Sequence, residues 1–138
     1  FIGRCNTVEF GSPGAWSQLA VRLSEPAVLV GDVGIHFLAD DDHQVEIGFT
    51  IAPEYQGQGL GSEAVLGVLG YLFDIQRKRR VTASVDPRNQ ASMALLKRVG
   101  MRQEAHFRES LWFKGEWVDD VVWAVLREDW GKVKAGRR

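Results

Sequence analysis

The 138 residues, 45% hydrophobic and 25% charged, suffice for one globular domain with a buried core, read as spanning residues 1–138. A formal net charge of -1 argues against a nucleic-acid binder that works by bulk charge. No apolar run approaches membrane-spanning length, no signal-peptide pattern occurs, and the single cysteine, Cys5, leaves no internal disulfide, so the expected setting is a reducing cytoplasm with no membrane partner.

The chain starts at Phe1 and is turn-like through Gly11 to Gly14. Trp16 to Leu23 alternates as a strand does, Ser24 to Pro26 punctuates it, and Ala27 to Leu38 carries a second strand. Asp40, Asp41 and Asp42 make the next turn. Adjacent carboxylates raise the question of a metal, but no further ligand follows at loop spacing, so they read as a solvated hairpin tip. A turn centred near Asp41 sets His36 opposite Glu46 on the neighbouring strand.

The stretch from Val45 to Ala64 organises the rest. Val45, Ile47, Phe49 and Ile51 alternate with Glu46, Gly48 and Thr50, the two-residue period of a strand with one apolar face. Pro53 cannot donate to a ladder, so pairing should stop there. Gly57, Gly59 and Gly61 then allow a sharp turn close to a ligand. Beyond them Leu60, Ala64, Val65, Val68, Leu69, Leu72 and Phe73 recur at helical spacing. A helix that opens on such a loop aims unpaired N–H groups and its dipole at one spot, which suits a phosphate.

Three phosphate loops compete for this stretch. A P-loop needs Gly-Lys-Ser/Thr, and no lysine occurs between Val45 and Ala64. Gly59, Gly61 and Ala64 fit the dinucleotide fingerprint, with Asp86 downstream, but there the first glycine ends its strand, whereas here Ala52 to Gln58 intervene. The third pattern is Gln56-x-x-Gly59-x-Gly61 after an apolar strand. In it the chain resembles the GNAT superfamily of acetyl-CoA-dependent N-acetyltransferases, whose pyrophosphate signature is Arg/Gln-x-x-Gly-x-Gly/Ala.

After the first helix the basic run Arg77 to Arg80 complements the helix dipole, with a phosphate contact as the minor alternative. Val81 to Val85 is a short strand, and the strand, helix, strand order makes it parallel to the earlier one. Asp86 to Asn89 is a turn ending in a helix cap, and the helix Gln90 to Val99 stops at Gly100. The pattern Asp86-Pro87-x-Asn89-x-x-Ser92-x-x-Leu95-Leu96-x-x-x-Gly100-Met101 resembles the RimJ/RimL-type branch of that superfamily. Where many members carry a tyrosine that protonates the CoA thiolate, this chain has Leu96, and the resemblance gives the task to Ser92, one helical turn back on the same face.

Arg102 to Trp112 and Trp117 to Leu126 form a hairpin on a Lys114-Gly115 turn, with Trp112 facing Trp117. The tryptophans read as core and hairpin packing, and Trp130 with Lys132 to Arg138 as a fraying tail. Glu109 to Asp120 also resembles the end of RimJ/RimL-like proteins, so the likeness runs from about Trp16 to Trp130.

The resemblance implies an α/β (α+β) fold: a mixed, mostly antiparallel twisted sheet with a parallel, splayed strand pair and flanking helices. It also implies acetyl-CoA between the strand ends at Ile51 and Val85, contacted by Phe49 and Ile51, its pyrophosphate on Gln56, Gly57, Gln58, Gly59, Gly61 and Ser62, its pantetheine arm on Asn89. N–H donors near Ile51 would stabilise the oxyanion, Ser92 would be the acid, and no metal is needed. An ammonium acceptor must shed a proton, for which Glu46 is the candidate base, His36 the second, and Glu109, near the aligned Leu111, a further possibility. The acceptor is a protein N-terminal amine or a small amine, and the final hairpin could pair in a homodimer. Family domains begin with a strand and two helices that wall the acceptor pocket. Little before Trp16 supplies them, which predicts their absence and keeps a CoA-binding module without turnover as the rival reading.

Overall fold

The computed structural model describes residues 2–4, 16–22, 29–38, 40–52, 56 and 59–136. Four strands come first: β1 (Ile2–Arg4), β2 (Trp16–Arg22), β3 (Leu29–Phe37) and β4 (Gln44–Ile51). The helix α1 (Leu60–Gly70) follows and loosens into a π-helical turn at Tyr71–Ile75. Strand β5 (Arg80–Val85), helix α2 (Gln90–Arg98), the hairpin β6 (Arg102–Phe113) and β7 (Glu116–Leu126), and helix α3 (Arg127–Ala135) complete the order. The strands form one seven-stranded sheet ordered β1-β2-β3-β4-β5-β7-β6. Among the described residues only β4 and β5 pair in parallel.

Alternation decides which face is covered. Val33, Ile35, Val45, Ile47, Val81, Ala83, Val121, Trp123 and Val125 point to one face, where they share a core with Val65, Val68 and Leu69 of α1, Leu96 of α2 and Trp130 of α3. The opposite face carries Trp16, His36, Glu46 and Thr82 in one row, set by successive strand registers. The β3–β4 register follows from the aspartate turn, whose Asp41 carboxylate accepts from the His43 backbone N–H at 2.9 Å and the Gln44 side chain at 2.7 Å. It sets His36 opposite Glu46, as the sequence predicts.

One break in the sheet matters for function. The β4–β5 pairing ends at Ile47↔Ala83, while β4 continues to Ile51 against β3 and β5 to Val85 against β7. The two strands therefore part in mid-sheet and leave a cleft between them.

A short strand, β1, precedes the first one expected from the sequence and pairs with β2; its three residues are too short to show an alternating pattern. One expectation needs correction: the carboxyl end does not fray at Trp130, because α3 docks there. The Trp130 ring stacks on Phe73 at 5.9 Å, its indole N–H donates to Asp74 at 3.2 Å, and Lys134 reaches the same carboxylate at 3.1 Å. The basic run has protein partners as well: Lys78 donates to the Asp42 carbonyl and Arg80 pairs with Glu104. The tryptophans divide, with Trp123 and Trp130 in the core but Trp16, Trp112 and Trp117 largely exposed. Cys5, Gly11 to Gly14, Ser24 to Pro26 and Pro53 lie outside the described residues.

Candidate active site

The cleft begins where β4 hands over to α1. Gly59, the residue before the helix, has φ 78°, a left-handed conformation that a side chain would strain. Gln56 reaches back from the intervening loop, its side-chain amide donating to the Ile51 carbonyl at 3.0 Å. The first turn of an α-helix leaves N–H groups without intrahelical partners, and Gly61 of this turn lines the adjoining space. Gly61 is needed for another reason. A Cβ there would lie 2.6 Å from the end of the Leu95 side chain and 3.3 Å from that of Ile51, so a larger residue would make Leu95 shift.

The second wall is the start of α2. Asn89 caps it, its side-chain oxygen accepting from the Ser92 N–H at 3.1 Å. The preceding turn is fixed by Arg88, whose guanidinium holds Asp86 at 2.7 Å and Glu116 at 2.8 Å. That charge-assisted bond, with a further one from the Arg88 backbone, keeps the Asp86 carboxyl below its ordinary pKa.

Three neighbouring spaces lie along these walls and the end of β5. One, of about 200 Å³, is lined by Phe49, Thr50, Ile51, Gln56, Gly61, Asn89, Ala91, Ser92, Leu95 and Arg98. The next, also about 200 Å³, fills the parting of the strands and shares Phe49, Asn89 and Ser92 while adding Ile47, Gly48, Ala83, Ser84, Val85 and Asp86. The third, about 340 Å³, shares Ser84, Val85 and Asp86 and opens against the β6–β7 hairpin. Taken in order, these neighbouring spaces mark a path from the start of α1, by the parting of the strands, to the hairpin.

Of the residues singled out in the sequence, Phe49, Ile51, Gln56, Gly61, Asn89 and Ser92 meet in these spaces. Ser62 stands behind the wall and Gly59 outside it, while Gly57 and Gln58 lie outside the described residues. Leu96 is fully buried in the core, whereas Ser92 faces the path, so of the two only the serine can meet a ligand. Glu46 and His36 line none of the three. They sit on the opposite face one residue before the parting, with His36 Nδ1 3.5 Å from the Glu46 carboxylate and the His36 ring stacked on Trp16 at 4.8 Å. Glu109 is held in the hairpin, its N–H donating to Asp119 at 2.8 Å.

Sequence reasoning missed Arg98 and Ser84. The Arg98 guanidinium lines the first of these spaces and donates to the buried Ser62 hydroxyl at 2.9 Å, bringing a cation to the start of α1. Its signal was available: Ala91, Leu95 and Arg98 are spaced i, i+4, i+7 and share a helix face with the cap. Ser84 gave no comparable local signal, because its role depends on a partner from another strand. Among the described residues no group of side chains could hold a metal ion.

Comparison with known proteins adds the following. The sequence pattern of the acetyltransferase (GNAT) domain family matches residues 4–102. The chain is 33% identical over 113 residues to the uncharacterised N-acetyltransferase YnaD of Bacillus subtilis, covering 82% of this chain and 66% of that protein. It is 33% identical over 88 residues to the [ribosomal protein uS5]-alanine N-acetyltransferase of Escherichia coli, covering 64% of this chain and 45% of that one. The crystal structure of an acetyltransferase (GNAT family) from Bacillus anthracis superposes with a TM-score of 0.75 at 31% identity, over 80% of this chain and 66% of the other. The chain thus spans between about half and two thirds of the length of these relatives.

Proposed function

Because this chain belongs to the GNAT acetyltransferase family, we propose that it transfers the acetyl group of acetyl-CoA to a primary amine by direct attack of the amine on the thioester. The observation that carries this reading is the parting of β4 and β5 beside the start of α1, with Asn89 and Ser92 on its far wall. The donors fit such a ligand. Phosphates match the N–H groups after Gly59 and the Arg98 cation, and a pantetheine arm matches the apolar Phe49, Ile51 and Leu95 with Asn89 among them.

Acetyl-CoA supplies an acyl group that is already activated. The chain's residues then have three tasks. Backbone N–H groups near Ile51 stabilise the negative charge that develops on the carbonyl oxygen. Ser92 gives its proton to the departing sulfur as the C–S bond breaks and the C–N bond forms. The proton lost by the ammonium passes to Glu46 through a water, since that carboxylate stands off the path, with His36 3.5 Å behind it. The relative that acts on the alanine of a ribosomal protein supports an amine as acceptor, either a protein N-terminus or a small molecule. We assign the chain to the cytoplasm, where acetyl-CoA and free amines meet. None of the described helices is long and apolar enough to cross a membrane.

Calorimetric titration with acetyl-CoA, with NADH as control, tests the binding step. Acetyl-CoA alone should bind, and binding of NADH instead would restore the dinucleotide reading. Ser92→Ala and Glu46→Gln test the chemistry: each should lower turnover by roughly a hundredfold while leaving acetyl-CoA affinity in place. Binding without any turnover in the unaltered chain would identify a CoA-binding module instead.

A further inference from the structure

The turn between β5 and α2 is held from two directions. Its own backbone supplies one: the Asn89 N–H donates to the Asp86 carbonyl at 2.9 Å, and the Asp86 carboxylate accepts the Arg88 N–H at 2.9 Å. The other comes from the hairpin. Backbone pairing of β5 with β7 ends at Val85↔Val121, so beyond that point the turn has no ladder to follow. Packing is incomplete there too, because a space of about 210 Å³ opens, lined by Asp86, Pro87 and Arg88 of the turn and by Trp117, Val118 and Asp119 of β7. Arg88 makes the connection. Its Nε and Nη2 donate to the Asp86 carboxylate at 3.1 and 2.7 Å, while its Nη1 donates to Glu116, the first residue of β7, at 2.8 Å. On the strand side of Asp86, the Ser84 hydroxyl donates to Asp120, so the stretch is moored to β7 at two points.

Direction, more than stability, is what this fork supplies. The Arg88 side chain stands open to solvent, where ion pairs add little to the stability of the whole chain. A planar guanidinium nevertheless presents its donors at fixed angles, so one that meets two carboxylates sets their relative placement. What it directs is the start of α2. The next residue, Asn89, accepts the Ser92 N–H on its side chain and the Met93 N–H on its carbonyl, each at 3.1 Å, which passes the orientation of the turn to the first turn of the helix. Ser92 lines both the space beside α1 and the one at the parting of the strands. A proton donor at this place acts only if its hydroxyl meets the departing atom at hydrogen-bond distance, and small displacements are costly.

We propose that Arg88 is a positioning residue for the acid step: by spanning Asp86 and Glu116 it fixes the first turn of α2 against the hairpin and so holds the Ser92 hydroxyl where the thiolate departs. The assignment rests on the acetyl-transfer reading above, in which Ser92 is the proton donor.

Thiol release from acetyl-CoA with hydroxylamine as acceptor tests it on the full chain. That amine is uncharged at neutral pH and needs no base, which leaves proton donation to the sulfur as the step at issue. Arg88→Gln should lower kcat about fivefold with unchanged calorimetric affinity for acetyl-CoA. Glu116→Gln should act by a similar factor, and the two together by no more than Arg88→Gln alone, as expected when one link is cut twice. Arg88→Lys should recover only part of the loss, since a single ammonium does not reproduce the fork. In a Ser92→Ala chain, Arg88→Gln should have no further effect. An equal loss with and without Ser92, a Glu116→Gln chain that turns over like the unaltered one, or a fall in acetyl-CoA affinity overturns the positioning role. A Ser92→Ala chain as fast as the unaltered one, or an unaltered chain with no release above background, overturns the reading beneath it and the proposal with it.

Discussion

The two ends of the path are built in different ways. The side at the start of α1 is made largely by elements close in sequence, β4, α1 and α2, against a buried helix layer. The hairpin side is made by distant residues brought together, Ser84 with Asp120 and Arg88 with Glu116, on a tip whose side chains are mostly exposed. A site for a constant ligand can be built from local geometry, whereas a site for a variable one is placed on side chains that can change without disturbing the core.

Substitutions that act on one side alone test this division. The largest effect is expected from Gly61→Val, whose branched side chain would enter the contact between Ile51 and Leu95. Acetyl-CoA affinity should fall by about a hundredfold by calorimetry, while Trp112 and Trp117 fluorescence stays unchanged. A disturbed hairpin signal would mean that the two sides are one cooperative unit. Arg98→Ala comes next: loss of a charge-assisted contact to phosphate should weaken acetyl-CoA by about tenfold. S-acetylpantetheine, which lacks those phosphates, should bind the variant and the unaltered chain equally. Equal losses for both ligands would show Arg98 acting through the fold instead.

On the other side, Trp117→Ala removes an edge-to-face pair with Trp112 at 5.4 Å. It should cost about 1 kcal/mol in chemical denaturation and leave acetyl-CoA affinity alone. The smallest effect is expected from acid. The Asp119 carboxyl is held below its ordinary pKa by the Glu109 N–H and then by His106, and Asp86 by Arg88. A depressed carboxylate pKa contributes stability that is present above the ordinary range, near pH 4, and is lost as the pH falls through the lower folded value. The hairpin's amide signals should therefore loosen below about pH 4 before those of α1.

What could be read from the chain follows the same division. The β4 alternation, the helix start at Leu60, the Asn89 cap and the Lys114-Gly115 turn are local signals, and each matches an element of the structure. The β3–β4 register was legible because one short turn sets it. The point where β4 and β5 part was not, since it depends on which strands continue to pair on either side. Docking of α3 escaped notice for a similar reason: Trp130 and Lys134 converge on Asp74, far back in the chain, and a basic, glycine-containing segment reads alone as a tail. Ser84 and Asp120 are each unremarkable until their strands are neighbours.

Arg88 spans both worlds. Its guanidinium ties the turn that caps α2 to Glu116 at the hairpin tip, and it is 62% exposed. Ion pairs this open to solvent weaken as salt screens them, while the buried contacts around Gly61 do not. Ionic strength is thus a dial on this molecule: raising it slackens the strut to the hairpin and leaves the packing beside the start of α1 where it was.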